Sequence, residues 1–459
     1  MKLIGAFRAS VVPGYLLLCL LLGGASAAGG WANLALQLGG LLLIVWAVVA
    51  VPASAISSAA RGGLTVLLLI LLLFAIQLVP LPPGIWTHLP GREGVAEGFR
   101  MLGRPLPWLS LSPEPYRTAA SGFWLIPAFA VYLAMVRLSA FRPSWFAWAL
   151  AAITLFSVTI GALQVASGED SGWYFYRITN VGVMVGFFAN ANHFATLLVC
   201  TIPFLAALYL DAQRSRGSVQ KSSALLVILV GTLVVVFVGV GINTSLAGIG
   251  LSVPVLGASL IMLYARKRRP PWWAPVLIGL LLVGSVATVM SAPFENNLTT
   301  ARPDDEDSRR LTYARTLDVA RDYFPVGSGI GTFQQLYRQR EDPAKTDNTY
   351  MNHAHSDYIE LALETGALGY LVLAIFLLWW VRRAIAVWRP EDPDVWARAA
   401  SIASAAILAH SLVDYPLRTA AIGAVFAMCC GLMSQARGQT RRAAPAPEEA
   451  GGARHLSAD

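Results

Sequence analysis

The sequence predicts an all-α polytopic membrane protein, with about twelve transmembrane helices and one large helical loop on the outer side of the membrane. Three observations carry that prediction. Of 459 residues, 56% are hydrophobic and only 13% are charged, against about 25% charged in an ordinary soluble domain. Stretches such as 64–79 hold no charge at all. The basic residues fall in alternate connections between the apolar runs, which is the pattern that fixes membrane orientation.

A spanning helix needs about 20 mostly apolar residues, because every backbone polar group must find its partner within the segment where there is no water. Twelve segments qualify: 11–28, 31–51, 64–80, 118–136, 145–166, 187–210, 223–241, 244–264, 272–290, 365–381, 397–412 and 419–433. If the first span leaves the cytoplasm, every even-numbered connection is cytoplasmic. Those connections carry Arg61, Arg137, Arg142, Arg214, Arg216, Lys221, the run Arg266, Lys267, Arg268 and Arg269, then Arg382, Arg383 and Arg389. The short outer loops carry only Arg177 and Arg418, so both termini are read as cytoplasmic. Trp31, Trp145, Trp272, Trp273, Trp379 and Trp380 sit at segment ends, where amphipathic rings anchor at headgroup depth. Lys2, Arg8, the apolar stretch 15–22 and the small residues Ala25, Ser26 and Ala27 also fit a cleavable signal peptide. Cleavage there would leave the downstream orientation unchanged.

Two larger connections, 81–117 and 291–357, fall on the outer side. In the second, 315–324 has the periodicity of an amphipathic helix with Tyr313, Leu317, Ala320 and Phe324 on one face. A loop of this length can fold over a cavity. One transmembrane domain is expected over 1–436, including the loop 291–357, followed by a disordered cytoplasmic tail over 437–459. The formal net charge of +8 is topological. No basic cluster is interleaved with base-stacking aromatics, which argues against nucleic acid as a partner. Cys19, Cys200, Cys429 and Cys430 all lie in apolar runs, so neither a disulfide framework nor a cysteine zinc site is expected.

The densest group of chemically capable side chains is Tyr350, Met351, Asn352, His353, Ala354, His355, Ser356, Asp357 and Tyr358, directly before the tenth span. On an extended segment His353, His355 and Asp357 would share a face and could ligate a metal. Alternatively, Asp357 with Glu360 has the form of a helix N-cap and its reciprocal partner, which places His355 just outside a helix N-terminus. There the macrodipole favours neutral imidazole and attracts anions, making His355 a candidate base; His353 reads as a solvated loop residue. A second group is Arg177 followed by Asn190, Asn192 and His193 entering the sixth span. A guanidinium grips phosphate oxygens bidentately, and polar side chains inside a span face either a wet cavity or a neighbouring helix. Arg309, Arg310 and Arg315 precede Gly327, Gly329 and Gly331. Without a preceding strand this spacing is no dinucleotide fingerprint, but a turn whose amides could cradle an anion. His410, Ser411, Asp414 and Arg418 lie at the outer end of the eleventh span, as an ion-paired hairpin or a wall of the site.

Taken together, Gly186-Phe-Phe-Ala-Asn190-Ala-Asn192-His-Phe-Ala, then His353-Ala-His355-Ser-Asp-Tyr-Ile-Glu-Leu-Ala-Leu-Glu-Thr-Gly, then His410-Ser-Leu-Val-Asp414-Tyr-Pro-Leu-Arg418 resemble the O-antigen ligase and polymerase family of bacterial envelopes. The resemblance spans about 177–418. It implies a metal-independent, cofactor-free inverting glycosyltransferase of the bacterial inner membrane, with its active site on the periplasmic face. The donor it implies is a glycan on undecaprenyl diphosphate, and the acceptor is lipid A core. His355 falls at the family's essential histidine, Arg177 at the arginine before the sixth span, and Arg309 or Arg310 at the loop arginine. Asn190, Asn192, His353, Asp414 and Arg418 are expected to bind substrate. Where the family commonly shows Ser-Arg, this chain has Ser245-Leu246, so that arginine contact is absent or supplied elsewhere. A polymerase taking a second lipid-linked glycan as acceptor is the alternative within the family. A polysaccharide or lipid transporter would also explain twelve spans, but it calls for paired charges near mid-membrane and related halves, and neither is evident.

Overall fold

The computed structural model describes residues 2–27, 30–49, 56–138, 141–214, 219–265, 270–291, 309–341, 351–389 and 393–435. The expected tail and the basic run from Arg266 to Arg269 lie outside them. The first nine helices are α1 (Lys2–Leu22), α2 (Gly30–Val49), α3 (Ser58–Leu78), α4 (Pro83–Trp86), α5 (Glu93–Met101), α6 (Pro115–Trp124), α7 (Ile126–Leu138), α8 (Pro143–Ser167) and α9 (Ala191–Arg214). The others are α10 (Val219–Asn243), α11 (Leu246–Tyr264), α12 (Ala274–Ser291), α13 (Arg309–Tyr323), α14 (Phe333–Arg338), α15 (Asp357–Val387), α16 (Val395–His410) and α17 (Ala420–Ser434). Two short antiparallel strands, β1 (Pro80–Leu81) and β2 (Leu109–Ser110), clip the ends of the first large connection together.

The architecture is that of an all-α polytopic membrane protein. Among the described residues seven helices are long and apolar enough to cross a membrane, α6 and α7 pass the same test together as a pair bent by 42°, and four shorter apolar stretches lie in α1, α12, α16 and α17. Each of the twelve expected segments falls on one of these. The fourth differs from a straight span because Pro127 has no amide hydrogen to give the preceding turn, so the helix breaks around Leu125. The tenth segment, 365–381, lies inside a longer helix that begins at Asp357, where the sequence places a helix start, and runs on to Val387. This helix, α15, contains one non-helical residue, Gly366, at φ 54°. Carbonyls released at this break find partners elsewhere: Leu363 O accepts from Ser328 N at 2.9 Å, and Glu364 O accepts from Gly329 N and from Gln77 Nε2, both at 2.9 Å. Trp379 and Trp380 consequently lie two turns inside α15, donating to Ala59 O and Ser404 Oγ at 2.9 and 3.0 Å.

Lipid tails are as apolar as leucine, so helices in a membrane associate through close packing and interhelical hydrogen bonds. The alanine-rich α16 and α17 pack with α9, which is buried along almost its whole length. Thr154 and Thr201 join α8 to α9 through their hydroxyls at 2.8 Å, a bond worth about 0.6 kcal/mol in such settings. Leu42, Leu68 and Val227 are instead exposed on the outside of the bundle. Over one end lie α13 and α14. The buried face of α13 is Thr312, Tyr313, Thr316, Val319 and Ala320, rotated from the expected face, with Leu317 and Phe324 exposed at 40% and 61%. The two threonines on this face are cheap to bury, because Thr316 satisfies its hydroxyl on Thr312 O within the helix at 2.7 Å.

Candidate active site

The alternation of the spans brings the N-termini of α9, α15 and α17 and the C-terminus of α16 to the end of the bundle that α13 and α14 cover. Ser356, rather than Asp357, caps α15: its hydroxyl accepts from Ile359 N. Asp357 instead accepts from Ser411 Oγ at 2.8 Å, while its amide bonds Ser411 O and Asp414 O at 3.0 and 3.2 Å. The turn after α16 therefore clasps the head of α15. His355 precedes the cap in the left-handed region at φ 51°, a conformation that costs a non-glycine residue about 1–3 kcal/mol and persists only when its surroundings impose it. Here Tyr313 OH donates to His355 O at 2.7 Å, and His355 Nδ1 lies 3.3 Å from Asp414 Oδ1.

Tyr415 is the hub of this group. His193 and His355 meet its ring edge-on at 4.9 and 4.8 Å, and His353 is tilted against it at 4.4 Å. Its hydroxyl receives a bond from Asn190 Nδ2 and gives one to Asn352 Oδ1, both at 3.4 Å. His193 is buried with neither ring nitrogen hydrogen-bonded among the described residues, and its Nε2 is 4.0 Å from Asp414 Oδ2. His410 is buried one turn along α9, against Thr196 Oγ1 at 2.7 Å. Burial alone would raise the Asp414 carboxyl. The adjacent His355, with His193 and His410 nearby, outweighs it and holds Asp414 well below the usual carboxylate range. Burial, then the Asp414 charge, push Tyr415 above the ordinary phenol range. Tyr415 was missed in the sequence, although the motif around Asp414 contained it.

Asn192 faces inward and accepts from Ser245 Oγ at 2.6 Å, while Ser245 caps α11 and Leu246 joins an apolar cluster with Val289 and Val413. Arg177 lies exposed on the loop between α8 and α9, with no ion-pair partner among the described residues. That loop is pinned by Tyr176 OH, which accepts from Gly24 N at 3.2 Å, and by Asn180 Oδ1, which accepts from Ala191 N at 3.0 Å. Arg309 and Arg310 open α13, but their side chains lie outside what is described.

A second polar group occupies the other side of the α15 head. Arg418 Nε, Nη1 and Nη2 meet Asp357 Oδ1, Glu360 Oε1 and Glu364 Oε2 at 3.4, 3.0 and 3.1 Å. Burial would lower this guanidinium, but the three carboxylates outweigh it and raise it above its ordinary value. Glu360 also receives His353 Nδ1 at 3.0 Å and Ala354 N at 2.9 Å. Arg418 is thus engaged by three carboxylates of the protein itself. The amides of the glycine turn are likewise spent. Gly331 N donates to Glu364 Oε1 at 2.7 Å and Ile330 N to Gln77 Oε1 at 2.9 Å, so the only anion this turn cradles is the protein's own carboxylate. Among the described residues no set of three His, Cys, Asp or Glu side chains is arranged to hold a metal ion. His353 and His355 turn to different carboxylates.

Beside this end opens a cavity of about 440 Å³. His353, Asp357, Glu364 and Arg418 line its polar end, and its apolar walls run along α3 from Gly63 to Phe74 and along α17 from Gly423 to Cys430. The stretch of α3 alone is about 16 Å long at 1.5 Å per residue.

Fold and site together define a polytopic helical membrane protein with a histidine-rich polar centre at one end, under a helical cap, next to a long apolar cavity. Residues 231–374 match the family model described as O-antigen ligase, which supports that family for the chain and a membrane function of the ligase or polymerase type. The matched segment contains Arg309, Arg310, His353 and His355, whereas Arg177, Asn190, Asn192, Asp414 and Arg418 lie beyond it. No curated protein matches the chain.

Proposed function

We propose that the protein transfers a glycan from undecaprenyl diphosphate to a hydroxyl of lipid A core at the periplasmic face of the bacterial inner membrane. The observation that carries this reading is the His355–Asp414 pair beside the long apolar cavity. No ATP is available outside the inner membrane, so the donor must arrive with its leaving group attached. A polyprenyl chain suits the cavity walls along α3 and α17. Asp414 Oδ1 lies 3.3 Å from His355 Nδ1 and orients the ring, so Nε2 of the neutral imidazole is the nitrogen that takes the acceptor's proton. The acceptor oxygen attacks the anomeric carbon opposite the diphosphate, the new C–O bond forms as the bond to the diphosphate breaks, and the lipid diphosphate departs with inverted sugar stereochemistry left behind. The charge growing on that leaving group needs cations. Arg418 is engaged by three carboxylates, so the diphosphate is assigned to Arg177 and to Arg309 or Arg310, with Asn190, Asn192 and His353 bordering its path. The mechanism requires no metal and no cofactor.

The test uses proteoliposomes supplied with a lipid diphosphate glycan, lipid A core and a second lipid-linked oligosaccharide, with a chelator present throughout. Labelled lipid A core supports the ligase reading, and labelled lipid-linked product moves the assignment to a polymerase. Undiminished transfer by His355→Ala would remove His355 from the mechanism.

A further inference from the structure

We propose that the cleft between α6 and α14 is a saccharide-binding subsite that takes sugar rings of the glycan being transferred or of the acceptor. This deepens the reading above and rests on it. The cleft has a volume of about 510 Å³, within the roughly 300–1,000 Å³ range of small-molecule sites. Its wall combines two aromatic rings, Tyr116 and Trp124, with the hydrogen-bonding side chains Glu114, Arg117 and Gln335. That is the combination a sugar requires, since its C–H face packs on an aromatic ring while its hydroxyls need both donors and acceptors. Neither Glu114 nor Arg117 has an ion-pair partner among the described residues, and Tyr116 is 84% exposed, so the groups stand open to a ligand.

The position fits as well as the composition. Ser121 and Trp124 line both this cleft and the apolar cavity, so the two spaces adjoin. A lipid tail in one leaves the attached sugars to enter the other. The shared wall is fixed, because Thr118 Oγ1 donates to Ile330 O at 2.8 Å and Gly331 N is held by Glu364, whose other oxygen meets Arg418. A sugar in the cleft is therefore held in register with the head of α15.

Full-length Tyr116→Ala, Arg117→Gln and Gln335→Ala, all at the open wall, test this against His355→Ala. Binding is read from tryptophan fluorescence and from transfer kinetics, using undecaprenyl diphosphate that carries either one sugar or four, and lipid A core as acceptor. Loss of hydrogen bonds of this kind should raise KM about tenfold, with kcat little changed. Weakening of the four-sugar donor alone assigns the cleft to the donor glycan, and weakening of the acceptor alone assigns it to the acceptor. Unchanged binding and KM for all three ligands, with each variant monodisperse and folded, overturns the subsite even if His355→Ala abolishes transfer. If wild-type protein transfers nothing, fluorescence titration with the soluble four-sugar glycan still decides the matter. Saturable binding lost in Tyr116→Ala upholds the cleft, and no binding rejects it.

Discussion

Two polar clusters flank the head of α15, and their key residues, Asp414 and Arg418, are only four positions apart in the chain. In one, Arg418 is ringed by Asp357, Glu360 and Glu364. In the other, Asp414 stands among three imidazoles, one of which, His193, has no hydrogen bond on either nitrogen among the described residues. A buried guanidinium ringed by carboxylates of its own chain is a structural device, because its charge is already engaged within the protein. A buried polar group left short of partners is costly. The difference teaches where to expect chemistry: on the side of Asp414, Tyr415 and His355, with the Arg418 side holding α15, α3 and the glycine turn in place.

That contrast makes opposite predictions for the two sides. On the chemical side, His355→Ala should slow transfer about 10²- to 10⁴-fold, the usual worth of a positioned proton acceptor, with a smaller loss of melting temperature than Arg418→Ala. On the structural side, Arg418→Ala strands three carboxylates and should cost about 3–5 kcal/mol of stability, read as a lower melting temperature and poor yield. Arg418→Lys should recover only part, since one ammonium cannot serve three separate carboxylates in the guanidinium's fixed geometry. If Arg418→Ala melts like wild type and fails only in transfer, the division between the clusters collapses and Arg418 returns to the substrate.

A smaller effect is expected from Asp414→Asn, which keeps the shape but removes the charge beside His355. It should lower kcat about 10²-fold while KM for the donor changes little, the signature of a residue that orients a base. Its pH dependence follows from the sign of the shift. Asp414 is held below its usual range in the folded protein, so its stabilisation is complete above the unfolded carboxyl value of about 3.9 and is lost as pH falls through lower values. Wild type and Asp414→Asn should therefore differ in melting temperature by a steady amount from pH 5 upward, and converge only in stronger acid. Convergence already at pH 6 would show that Asp414 takes up a proton there.

The helices were legible because apolar runs and positive connections are dictated by the bilayer, which acts on every residue alike. The place of His355 just ahead of a helix start was legible as well. The pairing of Arg418 with Glu364 was not, although a pattern existed: Asp357, Glu360 and Glu364 fall at i, i+3 and i+7, one face of a helix. Reading Asp357 as the cap obscured that face by assigning one of its members to the backbone. His193 carried a signal as a polar residue entering the sixth span beside Asn190 and Asn192, but its grouping with Tyr415 did not, because that comes from the convergence of α9, α15 and the α16–α17 turn, a long-range fact. The cleft at Tyr116 and Arg117 was equally invisible, since α14 completes it from more than two hundred residues away.

The smallest expected effect probes the structural side at its far edge. Gly331 has φ +87°, and a Cβ added there would press on Ser121 Oγ and lie 2.9 Å from Arg117 O. Gly331→Ala should therefore cost about 1–3 kcal/mol through backbone strain and crowding, visible as a lower melting temperature. Because Gly331 N holds Glu364, and Glu364 holds Arg418, the loss should be smaller in an Arg418→Ala background than in wild type. Residues in one hydrogen-bonded network couple in this way, whereas independent sites add. Full additivity of the two substitutions would mean that the glycine turn and the ion cluster are separate supports, and that the head of α15 is not locked as one unit.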